Sequence, residues 1–352
     1  METSLVTDTA APALVLASTQ RTIGIVIVVV LLLAAAVLIW FNSRAARPAL
    51  GAEIELAPNR KPYYDDDVLE TKVLDRVLGM ALVLLAIVAV GLPLYWLAEP
   101  GRQSGAAEDF QDTFIGRGES LFASANAGGL GCADCHGAAG GGGVAAHILL
   151  DSDGSFVAQV SWQAPALNTV LLRHDRSEVE FVLDYGRPGS PMAAWGAPGG
   201  GPLTTQQIDN LIDYMESITL APEAAQAAAT TEIERSLEAG EFADLGEAVF
   251  NLGLNSGFAG GAYSCGRCHT KGWSYGDPQE PGGGGPIGFS LRDGATERRF
   301  PSADDMVDFI TAGSEFGVGY GVNGQGSGRM PGFEQMLTEE QIAAVVDYER
   351  GL

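Results

Sequence analysis

The sequence predicts a mostly helical chain: a two-helix membrane hairpin at the N-terminus, then one compact helical unit written twice. Three observations carry this reading. Two uncharged apolar runs lie within the first hundred residues. The Cys-x-x-Cys-His run recurs at an offset of 133 residues and the closing helix at 134. Each copy also closes on a helix that begins with the same capping box, Thr204 with Gln207 and Thr338 with Gln341.

The first apolar run, TIGIVIVVVLLLAAAVLIWF at 22–41, carries no charge, and neither does the second, VLGMALVLLAIVAVGLPLYWL at 77–97. As helices, each is long enough to cross a hydrocarbon core of roughly 30 Å. Trp40, Tyr95 and Trp96 stand at their ends, where interfacial aromatics belong. Pro93 falls near the end of the second, where a kink is tolerated. A cleaved signal peptide is disfavoured, because the first run is long and no Lys or Arg precedes Arg21. Arg44, Arg47, Arg60, Lys61, Lys72 and Arg76 lie between the runs, so the positive-inside rule makes 42–76 a cytoplasmic loop. The 1–21 tail then lies outside, as does everything beyond a polar linker at 98–106. This is a two-pass topology in a bacterial cell membrane.

The chain carries 20 Lys plus Arg against 44 Asp plus Glu, and 13 against 34 from residue 101 onward. Nucleic acid is excluded as a partner, since phosphate contacts need clustered cations. An acidic field instead suits a soluble carrier with a basic docking face.

Past the linker, the units 107–220 and 242–352 run in parallel. They open on the helical segments GRGESLF and DLGEAVF, then reach Cys-x-x-Cys-His at 132–136 and 265–269. Each has a loop proline, Pro165 or Pro286, and then a Gly-rich loop with a methionine and an aromatic three residues later: Met192 with Trp195, Met330 with Phe333. In the first closing helix Ile208, Leu211, Ile212 and Met215 line one face; Ile342, Val345 and Val346 repeat its start. Between the copies, the Ala-rich stretch 221–241 favours a helical linker. The first copy inserts HILLDSDGSFVAQVSWQAPAL, whose alternation points to a small β-hairpin.

All four cysteines sit in the two Cys-x-x-Cys-His runs. That pattern attaches c-type haem. Two thiols three positions apart reach the two vinyl groups of one porphyrin, and the next residue offers an imidazole to the iron. Gly131, Gly137 and Gly266 let a flat macrocycle approach the backbone. A zinc site, a thioredoxin-like redox pair and structural disulfides fit less well. The two runs are far apart, each is followed by His, and no βαβ setting is visible.

Two covalent haem c groups are therefore expected, attached through Cys132, Cys135, Cys265 and Cys268, with His136 and His269 as axial ligands. A thioether opposite histidine raises the reduction potential. Met192 and Met330 are the favoured distal ligands. Met215, Met306 and Met336 read as core. His174 remains a rival for the first haem, though its charged neighbours suggest an exposed helix face; His147 reads as a loop or strand residue. Carbonyls near Pro165 and Pro286 are expected to accept the imidazole N–H, a bond that orients a ligating ring.

At these residues the sequence resembles the class I cytochrome c family twice over, across roughly 107–220 and 242–352. The resemblance implies an all-α fold of three to five helices around one covalent haem in each copy. The first copy departs from it in lacking a proline after Met192. The whole arrangement resembles a membrane-anchored dihaem subunit of a respiratory complex. Two kinds are in view: the dihaem cytochrome of a cytochrome bc complex and the dihaem subunit of a haem–copper oxidase. The implied role is electron transfer rather than catalysis by this chain alone. Its implied partners are integral membrane subunits (cytochrome b or an oxidase core) and a soluble carrier. A dihaem peroxidase is the enzyme alternative, and it requires one open iron position.

Overall fold

A computed structural model of the chain describes residues 65–319 and 329–352, together with eight positions between 26 and 40. The expected 1–21 tail, most of the first apolar run and most of the 42–76 loop lie outside the described residues. The eight positions within the first run are all helical and exposed. The chain divides into two compact units, Met1–Pro100 and Gly101–Leu352.

The helix α1 runs over Asp66–Phe122 and is long and apolar enough to cross a membrane. A π-helical turn occupies Leu69–Val73 near its start. Pro93 and Pro100 both lie inside it. The polar linker expected at 98–106 is a correction, since those residues are helical. Gln103, Ala106, Ala107 and Glu108 are good helix formers. Pro100 removes one ladder bond, but it is exposed, so the freed carbonyl can be solvated.

In the second unit each copy is built on a crossing of its first and last helices. The first copy pairs the end of α1 with α4 (Thr205–Ser217); the second pairs α6 (Leu245–Phe250) with α10 (Glu339–Arg350). A glycine lets each pair meet. A Cβ on Gly118 would collide with the Asn210 carbonyl and the Tyr214 side chain, and one on Gly246 with the Ala344 carbonyl and the Tyr348 side chain. Beside each glycine an aromatic pair packs at nearly the same separation: Phe122 and Tyr214 at 5.2 Å, Phe250 and Tyr348 at 5.3 Å. Both capping boxes form, and the apolar faces of α4 and α10 are buried as the periodicity predicts.

Between these crossings lie α2 (Cys132–His136), the strands β1 (Gly143–Leu150) and β2 (Phe156–Ala164), and α3 (Arg176–Tyr185). The second copy has α7 (Gly266–His269), α8 (Ala295–Arg299) and α9 (Ala303–Ala312). The insert is an antiparallel hairpin that pairs Gly143 with Ala164 and His147 with Val160. Its turn is tied by Asp151, whose Oδ1 accepts from the N–H groups of Asp153 and Ser155 at 3.0 and 2.8 Å. The base of the hairpin rests on the second copy. Ala166 N–H donates to Ala259 O at 2.8 Å, and the Trp162 ring lies 5.6 Å from that of Tyr275.

The stretch expected as a helical linker is helical, as α5 (Pro222–Glu238), but it is also part of the second core. Ala225, Ala229 and Ile233, spaced by four, are fully or almost fully buried there. Gln226 Nε2 donates to Glu334 O at 2.8 Å, and Gln341 Nε2 to Thr230 Oγ1 at 2.9 Å. Small alanines bring this helix close, and the polar groups along its edge find partners in the second copy.

Candidate functional site

Each Cys-x-x-Cys-His run forms a single helical turn, so the two cysteines share one side and the histidine follows directly. In the first copy the turn lies between Gly131 at φ 85° and Gly137 at φ 81°, both in the region that favours glycine. Asp134 fastens it by accepting from Ala125 N–H at 3.1 Å. All four cysteines are free. Burial pushes the Cys132 thiol up to about 11 and holds Cys265 well above the ordinary thiol range. Such thiols stay protonated at neutral pH. Among the described residues no three His, Cys, Asp or Glu side chains converge on one ion position.

The two histidines are held alike. His136 Nδ1 lies 2.8 Å from Pro165 O, and His269 Nδ1 lies 2.8 Å from Phe289 O. A carbonyl can only accept, so Nδ1 carries the proton and Nε2 presents its lone pair outward. Burial lowers both imidazole pKa values, against the opposing effect of the carbonyl bond, and keeps the rings neutral. In the second copy the accepting carbonyl near Pro286 is that of Phe289, three residues on. Gly285 N–H donates to Gly288 O at 3.0 Å, which turns Pro286 and Ile287 outward, and Gly288 lies flat against the His269 ring.

Met192 and Met330 occupy equivalent backbone positions. Helices α3 and α9 end on Gly186 at φ 70° and Gly313 at φ 77°. The next N–H, of Arg187 or Ser314, donates to the carbonyl of Met192 at 2.9 Å or Met330 at 2.8 Å. Three residues beyond each methionine, Trp195 N–H donates to Leu183 O at 2.8 Å, and Phe333 N–H to Ile310 O at 3.1 Å. The proline missing after Met192 therefore does not alter the backbone there. Met330, Cys265, Cys268 and His269 line one open cleft. Met192 packs on the first core together with Cys132.

The rival ligands are engaged elsewhere. His174 is mostly buried, a correction to the exposed face expected for it: Nδ1 meets Glu178 Oε2 at 2.8 Å, and Nε2 accepts from Arg173 at 3.4 Å. His147 lies on β1 with its ring edge-on to Trp162. Met215, Met306 and Met336 are core residues, as expected.

Several residues of the site escaped the sequence reading. Phe289 carried no signal apart from its glycine neighbours. Glu349 lies on α10 where the first copy has Met215, and it is buried against Cys265. Arg329, next to Met330, stacks at 4.9 Å over Phe181 of the first copy. Arg267 stands inside the second Cys-x-x-Cys-His run itself and donates to Gln163 O and Gly260 O, both at 2.8 Å.

Comparison with known families agrees with this geometry over the first copy. Residues 115–219 match the family model for cytochrome c. No curated protein and no solved structure matched the chain. The matched segment is similar to cytochrome c domains, which carry covalently bound haem c and serve haem-based electron transfer. The donor set suits that group: two free thiols and a neutral imidazole on one turn, with a thioether in the facing loop.

Proposed function

We propose that the chain is a membrane-anchored dihaem c-type cytochrome that passes electrons within a respiratory chain complex, between a quinol-oxidising cytochrome bc module and a terminal oxidase or soluble carrier. Cys132, Cys135, Cys265 and Cys268 attach the two haems. His136 and Met192 would ligate one iron, and His269 and Met330 the other. The observation that carries this reading is the matching hydrogen-bond frame around Met192 and Met330, together with two free-thiol turns whose histidines are each oriented by a backbone carbonyl. A haem iron so ligated supplies reversible one-electron transfer at a raised potential. The chain's own part is to orient the imidazoles, exclude water and hold the two sites in one compact unit.

On this reading both apolar runs cross a bacterial membrane and the haem domains lie outside the cytoplasm. The anchor raises the effective concentration of the domains next to integral membrane partners, a cytochrome b or an oxidase core. The test is to purify the full chain from membranes in mild detergent, made alongside a haem-attachment system. Two covalent haem increments by mass spectrometry, and a low-spin absorption spectrum for both, are expected. A single increment would remove the second site, and a high-spin signal would favour the peroxidase alternative. Co-purification with oxidase core subunits alone would assign the chain to a haem–copper oxidase.

A further inference from the structure

The loops that orient the two histidines are fastened differently. Phe289, whose carbonyl holds His269, stands in a loop closed within its own copy. There Gly288 N–H donates to Cys268 O at 2.9 Å, Gly284 N–H to His269 O at 3.0 Å and Leu291 N–H to Gly282 O at 2.7 Å. Pro165, whose carbonyl holds His136, is instead flanked by two alanines that meet the second copy. Ala166 N–H donates to Ala259 O at 2.8 Å, and the Ala166 side chain belongs to the second core. On the other flank the Ala164 carbonyl lies against Gly260, where a Cβ would collide with it and press on Pro165. The loop returns to the first copy only at Leu167 and Asn168, whose N–H groups donate to Gly140 O at 2.7 and 3.0 Å.

The second copy makes this contact with a strained piece of backbone. Ala259 at φ 47° and Gly260 at φ 57° are consecutive left-handed residues. Ala259 is one of two non-glycine residues at positive φ among the described residues. Such a conformation persists where its surroundings over-determine it. Arg267 is part of those surroundings: from between Cys265 and Cys268, its Nη1 donates to Gly260 O and to Gln163 O, both at 2.8 Å. One guanidinium thus ties the second attachment turn to the strand that leads into Pro165. The contacts run from that turn through Arg267, Gly260 and Ala259 to Pro165, and end 2.8 Å away on the His136 ring.

We propose that the second copy positions the proximal histidine of the first: Ala259, Gly260 and Arg267 hold the Pro165 carbonyl on His136 Nδ1, and the first site is complete only with the two copies docked. This rests on the reading of His136 as an iron ligand. A carbonyl bond at Nδ1 fixes the plane of a ligating imidazole and raises its basicity. Loosening that bond makes the ring a poorer donor to ferric iron, so the first midpoint rises. The second site has no such dependence, because His269 takes its carbonyl from its own copy.

The experiment uses the haem-loaded full chain and the variants Gly260→Ala, Arg267→Gln and Arg267→Lys. Gly257→Ala is the control, since it lies in the same loop at φ 72° with open space around it. The chain has four histidines, so isotope labelling of histidine gives four ring signals by NMR. Solvent exchange of the His136 Nδ1 proton is expected to quicken in Gly260→Ala and Arg267→Gln. It should match the parent in Gly257→Ala and in Arg267→Lys, which keeps a charged donor, and His269 should stay unmoved throughout. In Gly260→Ala, which changes no charge, the first midpoint should also rise. Arg267→Gln removes two bonds and adds no atom, so it carries the exchange measurement if Gly260→Ala fails to accumulate. An unmoved His136 signal in these variants, or an equal change at His269, would overturn the positioning role. A quickened exchange with an unchanged first midpoint would overturn its bearing on the iron. Covalent haem is counted by mass in every sample. A parent with haem on the first turn alone would defeat the dihaem reading and leave this test readable; one with none there would defeat both.

Discussion

The Cys265 thiol lies against the carboxyl of Glu349 on α10, and both are almost completely buried. Burial is the main cause that raises the Glu349 pKa to about 8, with the Cys265 bond acting against it. A carboxyl raised in the folded state contributes stability that is complete below its unfolded value near 4.5 and lost as pH rises through about 8. Denaturant titrations should therefore show the protein losing up to about 1.4 kcal/mol per pH unit within that window. Glu349→Gln should flatten the profile. An equally steep profile in the variant would refute this.

Met330→His should keep the second haem attached while lowering its midpoint, because imidazole stabilises the ferric iron better than a thioether does. A titration that resolves both haems checks it. An unchanged second midpoint would exclude Met330 as a ligand.

Gly246→Ala should destabilise the second copy. The new methyl meets the Ala344 carbonyl and the Tyr348 side chain, so α6 and α10 must move apart. Overpacking of this kind costs about 1–3 kcal/mol. Chemical denaturation at fixed pH measures it; a neutral result would mean that the helix crossing is looser than it is drawn here.

Ile233→Ala should destabilise the second copy by about 2–5 kcal/mol, the usual cost of emptying a packed aliphatic site. A substitution in a free-standing spacer would cost close to nothing, so the magnitude separates the two views of α5.

Much of the site was legible because cofactor chemistry constrains residue type and spacing together. The Cys-x-x-Cys-His runs, the two methionines and the capping boxes all signal locally, and the capping boxes and apolar faces of α4 and α10 form as read. The hairpin was visible through alternation alone. What stayed hidden depends on contacts distant in sequence. Nothing local distinguishes Ala225 and Ala229 as core alanines from solvent-facing ones, since their partners lie about a hundred residues on. The loop carbonyl expected near Pro286 belongs to Phe289, and the glycine turn that puts it there had no local signal. Continuity of α1 through Pro100 was hidden because proline usually ends a helix.

The cover over Cys265 sets a constraint on biosynthesis. Before any haem is attached, Cys265 is only 3% exposed in the folded chain, which leaves an enzyme little access to its sulfur. If the proposed attachment takes place, it must be completed while the closing helix is still undocked. Haem ligation would then come before final folding, and a chain that folded first would be trapped without its pigment.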